Sequence, residues 1–197
     1  MYSNNTPTSK TRTQSALKQA FIEIYKDCPI EKISVSAVCT AAGYSRAAFY
    51  SYYTDIYDLL VSIETDLLDE LGPIFILPPH GSRLAEIRSG EVPMGCKEWV
   101  SKCWENRDFL RALLGKHGDP AFQFRLKDSM RDSLYKVAMF DGVVDDDRTK
   151  AVLEYQLSGI IGVLIYYFDN NVDFDSKEVS EIVNTIRKCW IMARQKN

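Results

Sequence analysis

The sequence is poor in the residues on which most enzyme chemistry depends. It contains two histidines, His80 and His117, and neither lies at triad or metal-ligand spacing from a carboxylate. It has no glycine-rich phosphate loop and no nucleophile elbow. The acidic run 145–147 lacks the alternating oxygen ligands of a calcium loop and is typical of a helix N-terminus. We therefore expect a protein that is not an enzyme and has no metal or cofactor.

The cysteines predict neither a disulfide framework nor a zinc site. They are odd in number and show no CxxC spacing. The five positions are Cys28, Cys39, Cys96, Cys103 and Cys189. We expect reduced, mostly buried thiols, although a thiol sensor stays open because Cys96 and Cys103 are seven residues apart and would share a helical face.

The sequence contains no apolar run long enough to span a membrane. The longest, at 157–168, is shorter than the roughly 18–20 residues that a membrane-spanning helix needs. Residues 1–10 are polar and lack the apolar centre of a signal peptide. These features predict a cytoplasmic protein without a membrane partner.

The net charge of −3 conceals an uneven distribution of charge. Residues 1–54 contain six Lys and Arg and three Asp and Glu, which gives +3, so the remainder must carry −6. A modest basic surplus in the N-terminal quarter permits an anionic partner there and places the acidic surplus elsewhere.

The most informative segment is 33–60, which predicts two short helices joined by a tight turn. Ser34 and Ser45 are suited to cap the two helices, and Asp55 is suited to cap a third. Gly43 lies where the chain must reverse, a position where positive φ favours glycine. This arrangement is a helix-turn-helix, which indicates DNA binding.

The side-chain pattern of the second helix supports that interpretation. Phe49 and Tyr53 are four apart and should both point inward, which leaves a small, hydroxylated outer face. Small side chains admit a helix to the major groove, and Arg46 can make the bidentate contact to guanine. Hydroxyl groups and exposed N–H groups at the helix starts suit phosphate contacts. Turn and periodicity alone also occur in helical proteins that do not bind DNA.

The residues themselves resemble a known family. Residues 43–50 read GYSRAAFY and are followed by Tyr53 and by DIYDLL at 55–60. This is similar to the N-terminal signature of the tetracycline-repressor-like (TetR/AcrR) family of bacterial regulators. Residues 106–110, 112–115 and 118–122 resemble a body pattern of one subgroup of that family. One departure is Ile56, which stands where family members usually carry a phosphate-contacting lysine.

The resemblance implies an all-α fold with two domains. Residues 1–54 would form a three-helix DNA-binding head, and residues 55–197 a helical bundle for effector binding and dimerisation. The helix from about 55 to 71 would link the two, and four further helices would span about 93–114, 120–140, 145–168 and 176–194. The candidate DNA-contacting residues are Ser34, Ser36, Tyr44, Ser45, Arg46, Ala47, Ala48, Tyr50, Ser51 and Tyr52.

Two further sites are expected in the body. Dense aromatic residues there are usually core, but the resemblance implies a pocket for a small apolar or aromatic effector, with Trp99, Trp104, Phe109, Phe122, Tyr135 and Tyr155 as candidates. The last two helices suit a two-fold dimer seam, because glycines allow close helix approach, one helix is apolar around most of its girth and the other carries an apolar stripe. The seam residues are Gly159, Gly162, Val163, Tyr166, Val179, Ile182, Val183, Ile186 and Trp190; the alternative is that these helices only close the monomer core.

The function that follows is a transcriptional regulator. A homodimer would bind a palindromic operator in double-stranded DNA and act as a repressor, because occupancy alone blocks a promoter, and a small-molecule effector would release it. The alternative is a helical dimer that acts through protein partners as a coactivator with weak or no specific DNA binding.

Overall fold

We describe a computed structural model of the 197-residue chain. It describes residues 9–73, 94–140, 144–170, 177–182 and 184–185, and these are helical, with short turns between the helices and no β-strand. The expected all-α fold is confirmed.

The head contains three helices. α1 spans Ser9–Tyr25, and a 3-10 turn at Ile30–Lys32 leads to α2, Val35–Ala42, and α3, Arg46–Tyr50. α1 packs on α2, and α2 on α3. The inward face includes Phe21, Val38 and Phe49, each with no exposed surface. The spacing of apolar residues therefore decides which face of each short helix is buried.

A turn stabilised by two side-chain hydrogen bonds joins the head to the next helix, α4, which spans Ile56–Leu71. Asp55 Oδ1 accepts from the backbone N–H of Asp58 at 2.9 Å, and Asp58 Oδ2 accepts from that of Thr54 at 2.8 Å. This reciprocal pair satisfies two N–H groups that the helix itself leaves free. Lys18 ties α1 to α4 through Asp66 at 2.5 Å. α4 therefore begins as part of the head.

The body is built around the far end of α4. The body helices are α5, Met94–Glu105; α6, Arg107–Leu114; α7, Pro120–Phe140; and α8, Asp147–Asp169. α4 packs on α5 and α7, while α8 packs on α6 and α7. Residues 177–182 and 184–185 are also helical. Buried apolar residues form one cluster that runs from Leu17 in α1 to Val179, so head and body share a core across α4.

One expected helix is divided. The sequence pattern predicted a single helix over about 93–114, but Asn106 interrupts it with φ −101° and ψ 15°. Its side-chain amide donates to the Lys102 carbonyl at 3.0 Å and to Glu70 Oε2 on α4 at 3.1 Å. Asparagine competes with the helix in this way through local side-chain hydrogen bonds. The break lets α6 turn toward α1 and α8.

Candidate nucleic-acid interface

The turn between α2 and α3 is held by three local features. Ser34 Oγ accepts from Ala37 N and Ser45 Oγ accepts from Ala48 N, each at 3.1 Å. Gly43 takes φ +73° and ψ 28°, the left-handed conformation that glycine adopts at least cost. The N–H of Tyr44 then donates to the Cys39 carbonyl at 3.0 Å. The predicted caps and turn are present, and they fix the orientation of α3 relative to α2.

The candidate DNA-contacting residues lie on the surface of this unit. Seven are exposed: Ser34, Ser36, Ser45, Arg46, Ala47, Tyr50 and Ser51. Three are half-buried: Tyr44, Ala48 and Tyr52. Tyr44 and Tyr52 pack against the core cluster, so their hydroxyl-bearing ends are the parts available to a partner. The structure therefore brings the predicted set to one region of the head.

Arg46 and Tyr50 form a pair on α3. Arg46 Nη2 donates to the Tyr50 hydroxyl at 3.3 Å, and the guanidinium carbon lies 5.9 Å from the centre of the Tyr50 ring. The hydrogen bond with Tyr50 raises the pKa of Arg46 above its ordinary value, and the guanidinium is charged. Tyr50 is 50% exposed. The pair is a cationic, hydrogen-bonding projection on an otherwise small-residue surface.

The hydroxyl groups have different capacities left for a partner. Ser34 and Ser45 use their oxygens as acceptors and keep their protons, so they can donate to a phosphate. Ser51 Oγ donates to the Ala47 carbonyl at 2.9 Å and is left as an acceptor. Ser51 is thus suited to a donor such as a base amino group, whereas the two cap serines suit anions.

The charged residues of the head are unevenly distributed, and the segment with the candidate contacts carries a positive charge. Between Ser34 and Tyr53 the sequence carries one charged residue, Arg46. Lys18 and Lys26 form ion pairs with acidic residues, Lys26 with Asp108 of α6 at 3.7 Å. These ion pairs partly neutralise the charge of Lys18 and Lys26 where the head meets α4 and α6. Arg12 and Lys32 are exposed. Residues 34–53 therefore contain no acidic side chain that would repel a polyanion.

Sequence reasoning missed three candidates. Thr40 is exposed on α2, Lys32 lies just before the Ser34 cap, and Tyr57 is 54% exposed in the first turn of α4. Ile56, at the usual lysine position, is 6% exposed and belongs to the core cluster. The helical period around α4 could have indicated this, because Ile56, Leu59, Leu60 and Ile63 fall on one face. Tyr57 is the neighbouring side chain that faces outward.

The expected effector pocket is not assembled as predicted. Tyr155 is 71% exposed on α8, so it lines no enclosed site within one chain. Trp99 and Phe122 are core residues, and the Trp99 indole donates to the Leu71 carbonyl at 3.2 Å. Trp104 and Tyr135 are half-buried against the core. Aromatic content could not separate these cases, because core packing and ligand binding use the same residue types.

Phe109, the remaining pocket candidate, lines a groove of about 290 Å³ between α1, α4 and the α5–α6 break. Ile63 and Leu67 complete its apolar floor, and Lys18 and Asp66 lie on its rim. A second groove of about 380 Å³ lies near Arg111 and Lys116 and contains none of the six candidates. The first groove contacts both the head and the body.

The dimer-seam candidates divide into two groups. Gly159, Gly162, Val163 and Tyr166 lie on α8, where Tyr166 is 61% exposed and a Cβ built at either glycine meets nothing within 4 Å. Val179 is 1% exposed, which assigns it to the monomer core rather than an outer seam. Ile182 is half-buried. Val183, Ile186 and Trp190 lie outside the described residues.

The thiols are sheltered. Cys39, Cys96 and Cys103 are each at most 3% exposed, and Cys28 is half-buried. Burial raises the pKa of the Cys103 thiol well above its ordinary value, and burial likewise raises the pKa of Cys39. Protonated, buried thiols are poor nucleophiles. Cys28, Cys39, Cys96 and Cys103 form no disulfide with one another within the described part of the chain.

One described helix, α8, is long and apolar enough to cross a membrane by length and composition. Core helices of soluble proteins pass the same test, and 44% of its most apolar window is already buried in the fold. Its two faces explain the composition: Leu157, Ile160 and Leu164 pack inside, while the glycine-containing face points outward.

Comparisons with known proteins agree with this geometry. The family model for the C-terminal region of TetR-type transcriptional regulators matches residues 101–188. No curated protein sequence matches the chain. A TetR-family transcriptional regulator from Streptomyces coelicolor has a similar structure, with a TM-score of 0.65 and 17% identity over 94% of this chain and 83% of that one.

Two further solved structures share the fold. A TetR transcriptional regulator from Streptococcus agalactiae 2603V gives a TM-score of 0.59 and 20% identity over 90% of this chain and 94% of that one. The dihydroxyacetone kinase operon activator DhaS gives a TM-score of 0.60 and 18% identity over 93% and 96%.

The chain thus combines a helix-turn-helix with a helical body, the fold that these TetR-family structures also have. The predicted resemblance to the TetR family is confirmed, because the family model matches residues 101–188 and solved TetR-family structures share the fold. The family match covers the body, and the helix-turn-helix signature covers the head.

Proposed function

We propose that this protein is a repressor that binds a palindromic operator as a homodimer and is released by a small apolar or aromatic effector. The observation that supports the proposal most directly is the outer face of α2 and α3. That face presents Arg46 among small and hydroxylated residues and carries no acidic residue between positions 34 and 53. Such a surface fits the major groove of duplex DNA.

Direct readout is assigned to α3. Ala47 and Ser51 are exposed one turn apart, so the α3 backbone can approach base edges closely. Arg46 would leave its 3.3 Å contact with Tyr50 and make a bidentate contact to guanine. Ser36 on α2 and Ala48 and Tyr52 on α3 and its C-terminal turn complete the candidate surface.

Phosphate contacts would fix the register. Ser34 and Ser45 retain hydroxyl protons, and Lys32 supplies a cation immediately before α2. With Ile56 in the core, we assign the α4 phosphate contact to the Tyr57 hydroxyl. Phosphate contacts of this kind position a protein on DNA without reading its sequence.

Dimerisation is assigned to the outward face of α8. Tyr155, Gly159, Gly162 and Tyr166 follow one another at three- and four-residue spacing and are exposed or half-buried. The open space around both glycines admits a partner helix at close range. A two-fold axis at this face would present two copies of α3 to the half-sites of a palindrome.

Effector release is assigned to α4, which belongs to both head and body. A ligand in the groove lined by Ile63, Leu67 and Phe109 would touch α4 and α6 together and change the spacing of the two heads. Release requires that the ligand bind one arrangement more tightly than the other. We assign repression because occupancy of a promoter suffices for it.

The proposal is tested by selecting bound sequences from random duplex DNA at two salt concentrations. We expect enrichment of a palindrome, with affinity that falls as salt rises because phosphate contacts release counterions. A single enriched half-site or no enrichment would contradict a dimeric sequence reader.

The second candidate is a coactivator that works through protein partners. One structure with this fold, DhaS, is an operon activator, so the fold alone does not fix the sign of regulation. If the selection yields no enriched sequence at either salt concentration, this candidate replaces the first.

A further inference from the structure

A charged cluster lies where α1, α4 and α7 meet, with one buried carboxyl group and two partly exposed partners. Glu64 of α4 is 4% exposed. Arg125 of α7 donates through one nitrogen, Nη2, to Glu64 Oε2 at 2.5 Å and to Asp119 Oδ2 at 3.1 Å. Tyr25, the last residue of α1, is 1% exposed beside this group, and burial together with the negative charges of Asp119, Glu64 and Glu31 raises its pKa to about 12.

The charges in this cluster do not balance. Two carboxyl groups share one guanidinium, and the second oxygen of Glu64, Oε1, is buried without a hydrogen-bond partner. A buried carboxylate oxygen without a donor is costly, because desolvation is not repaid. A proton on Glu64 removes the excess negative charge and the unpaired acceptor together. Burial raises the pKa of Glu64, Arg125 opposes that shift, and Asp119 adds to it.

The surroundings decide which carboxyl group takes the proton. Asp119 Oδ1 accepts from the backbone N–H of Ala121 at 2.8 Å, at the start of α7. A helix start stabilises an anion through its free N–H groups and its dipole. Glu64 lies within α4 and accepts only from Arg125 in the described structure. The proton is therefore assigned to Glu64.

We propose that Glu64 is a proton-binding site that couples the α4 helix to the body and makes DNA affinity depend on pH. Ionised Glu64 keeps the excess negative charge buried and favours opening of the joint between α4 and α7. Protonated Glu64 removes that charge and favours the closed joint, in which Glu64 stays buried beside Arg125. The groups that face the site are Tyr25 from α1, Asp119 from the turn before α7 and Arg125 from α7. The effect on DNA rests on the proposed function; proton binding does not.

Proton binding is tested by unfolding in denaturant at a series of pH values, for the wild type and Glu64→Gln. Because the pKa of Glu64 is raised in the folded state, the folded protein takes up this proton before the unfolded chain does. The stability contribution of the proton is complete below the ordinary carboxyl value and is lost as pH rises through the raised value. The free energy of unfolding of the wild type relative to Glu64→Gln should therefore increase as pH falls through the raised value toward the ordinary carboxyl value.

A matched control is Glu154→Gln. Glu154 also pairs with cations, Lys127 and Arg131, but it joins α7 to α8 and its pKa is lowered to about 2. The difference in free energy of unfolding between the wild type and this control variant should not change over the same pH range. If the free energies of unfolding of Glu64→Gln and the wild type instead change by the same amount with pH, Glu64 is not a proton-binding site.

A second variant guards against a folding defect in Glu64→Gln. Asp119→Asn removes the neighbouring negative charge, and asparagine remains a good helix cap. It should move the pH-dependent change in stability to lower pH. An unchanged profile in Asp119→Asn would contradict the charge coupling.

The DNA consequence is tested with the duplex enriched by selection, at constant ionic strength. We expect wild-type affinity to rise about fivefold or more as pH falls toward the ordinary carboxyl value, because the closed joint holds α4 in place, and Glu64→Gln to show no such change. Equal pH dependence in both proteins would overturn the coupling to DNA. If the wild type binds no duplex at any pH, the proposed function fails, whereas the proton site is still judged by the unfolding measurements.

Discussion

At the scale of single residues, Arg46 carries the proposed sequence reading. It is the only charged residue between positions 34 and 53, it is exposed, and its hydrogen bond to Tyr50 holds it along the outer side of α3. A guanidinium that contacts a base edge contributes to discrimination, whereas one that contacts phosphate contributes to affinity for every sequence.

Replacing Arg46 by Ala should therefore relax specificity. We expect a loss of about 1–3 kcal/mol in the preference for the selected duplex over a duplex changed at one base pair. Lys32→Ala is the control, because loss of a phosphate contact should weaken both duplexes alike and reduce the salt dependence. Fluorescence anisotropy with both duplexes measures the difference. An Arg46→Ala protein with the wild-type preference would remove Arg46 from direct readout.

Gly43 provides a prediction about stability. Its φ of +73° is unfavourable for an L side chain, although a Cβ there would meet no atom within 4 Å. Gly43→Ala should lower the free energy of unfolding by about 1–2 kcal/mol from backbone strain alone. Gly43→Asn should lower the free energy of unfolding by less, since asparagine tolerates this conformation better. Equal losses in denaturant unfolding would show that strain is not the cause.

Local residue patterns predicted the head well. The caps at Ser34, Ser45 and Asp55, the turn at Gly43 and the burial of Phe49 and Tyr53 depend on interactions within a few residues, so the sequence displays them. The outward position of Tyr155 was not predicted. Its exposure depends on which side of α8 faces α6 and α7, which is a tertiary property.

At the scale of helices, the body is held by polar contacts that sequence spacing does not reveal. Glu154 of α8 pairs with Lys127 of α7 at 2.8 Å and with Arg131 of α7. Asn106 ends α5 by contacts to Lys102 and to Glu70 of α4. The pattern predicted one helix there because it records apolar period and not a partner on another helix.

The Glu154 cluster should make stability fall in acid. Hydrogen bonds from Arg131 and Lys127 lower the pKa of Glu154 to about 2, so its contribution is present above the ordinary carboxyl value and is lost as pH falls toward 2. The free energy of unfolding of the wild type relative to Glu154→Gln should shrink over that range. These groups are partly exposed, so the change should be modest and should weaken in high salt. A constant difference between the two proteins down to acid pH would contradict the assignment.

At the scale of the whole molecule, the account depends on two heads held at a fixed separation. α4 leaves the head at the Asp55 cap and enters a core shared with the body, while the outward face of α8 is the proposed two-fold contact. The division into a head at 1–54 and a body at 55–197 remains a prediction, since the buried cluster is continuous across it.

Gly162→Glu should separate the subunits. Gly162 is exposed and has open space around it in one chain, so the folded monomer accommodates the change, whereas two glutamates at a two-fold seam repel one another. We expect sedimentation of the variant as a monomer at micromolar concentration and weaker binding to a palindrome. Gln123→Glu, on the exposed side of α7, is the charge-matched control and should remain dimeric. A dimeric Gly162→Glu protein would place the seam elsewhere.

The central claim is that two chains read one palindrome. The most direct measurement is the stoichiometry and affinity of the wild type on the selected duplex and on the same duplex with one half-site scrambled, by sedimentation with labelled DNA. We predict two chains on the intact palindrome and a marked loss of affinity when either half-site is scrambled. One chain per duplex, or equal affinity for the intact and scrambled duplexes, would contradict the account.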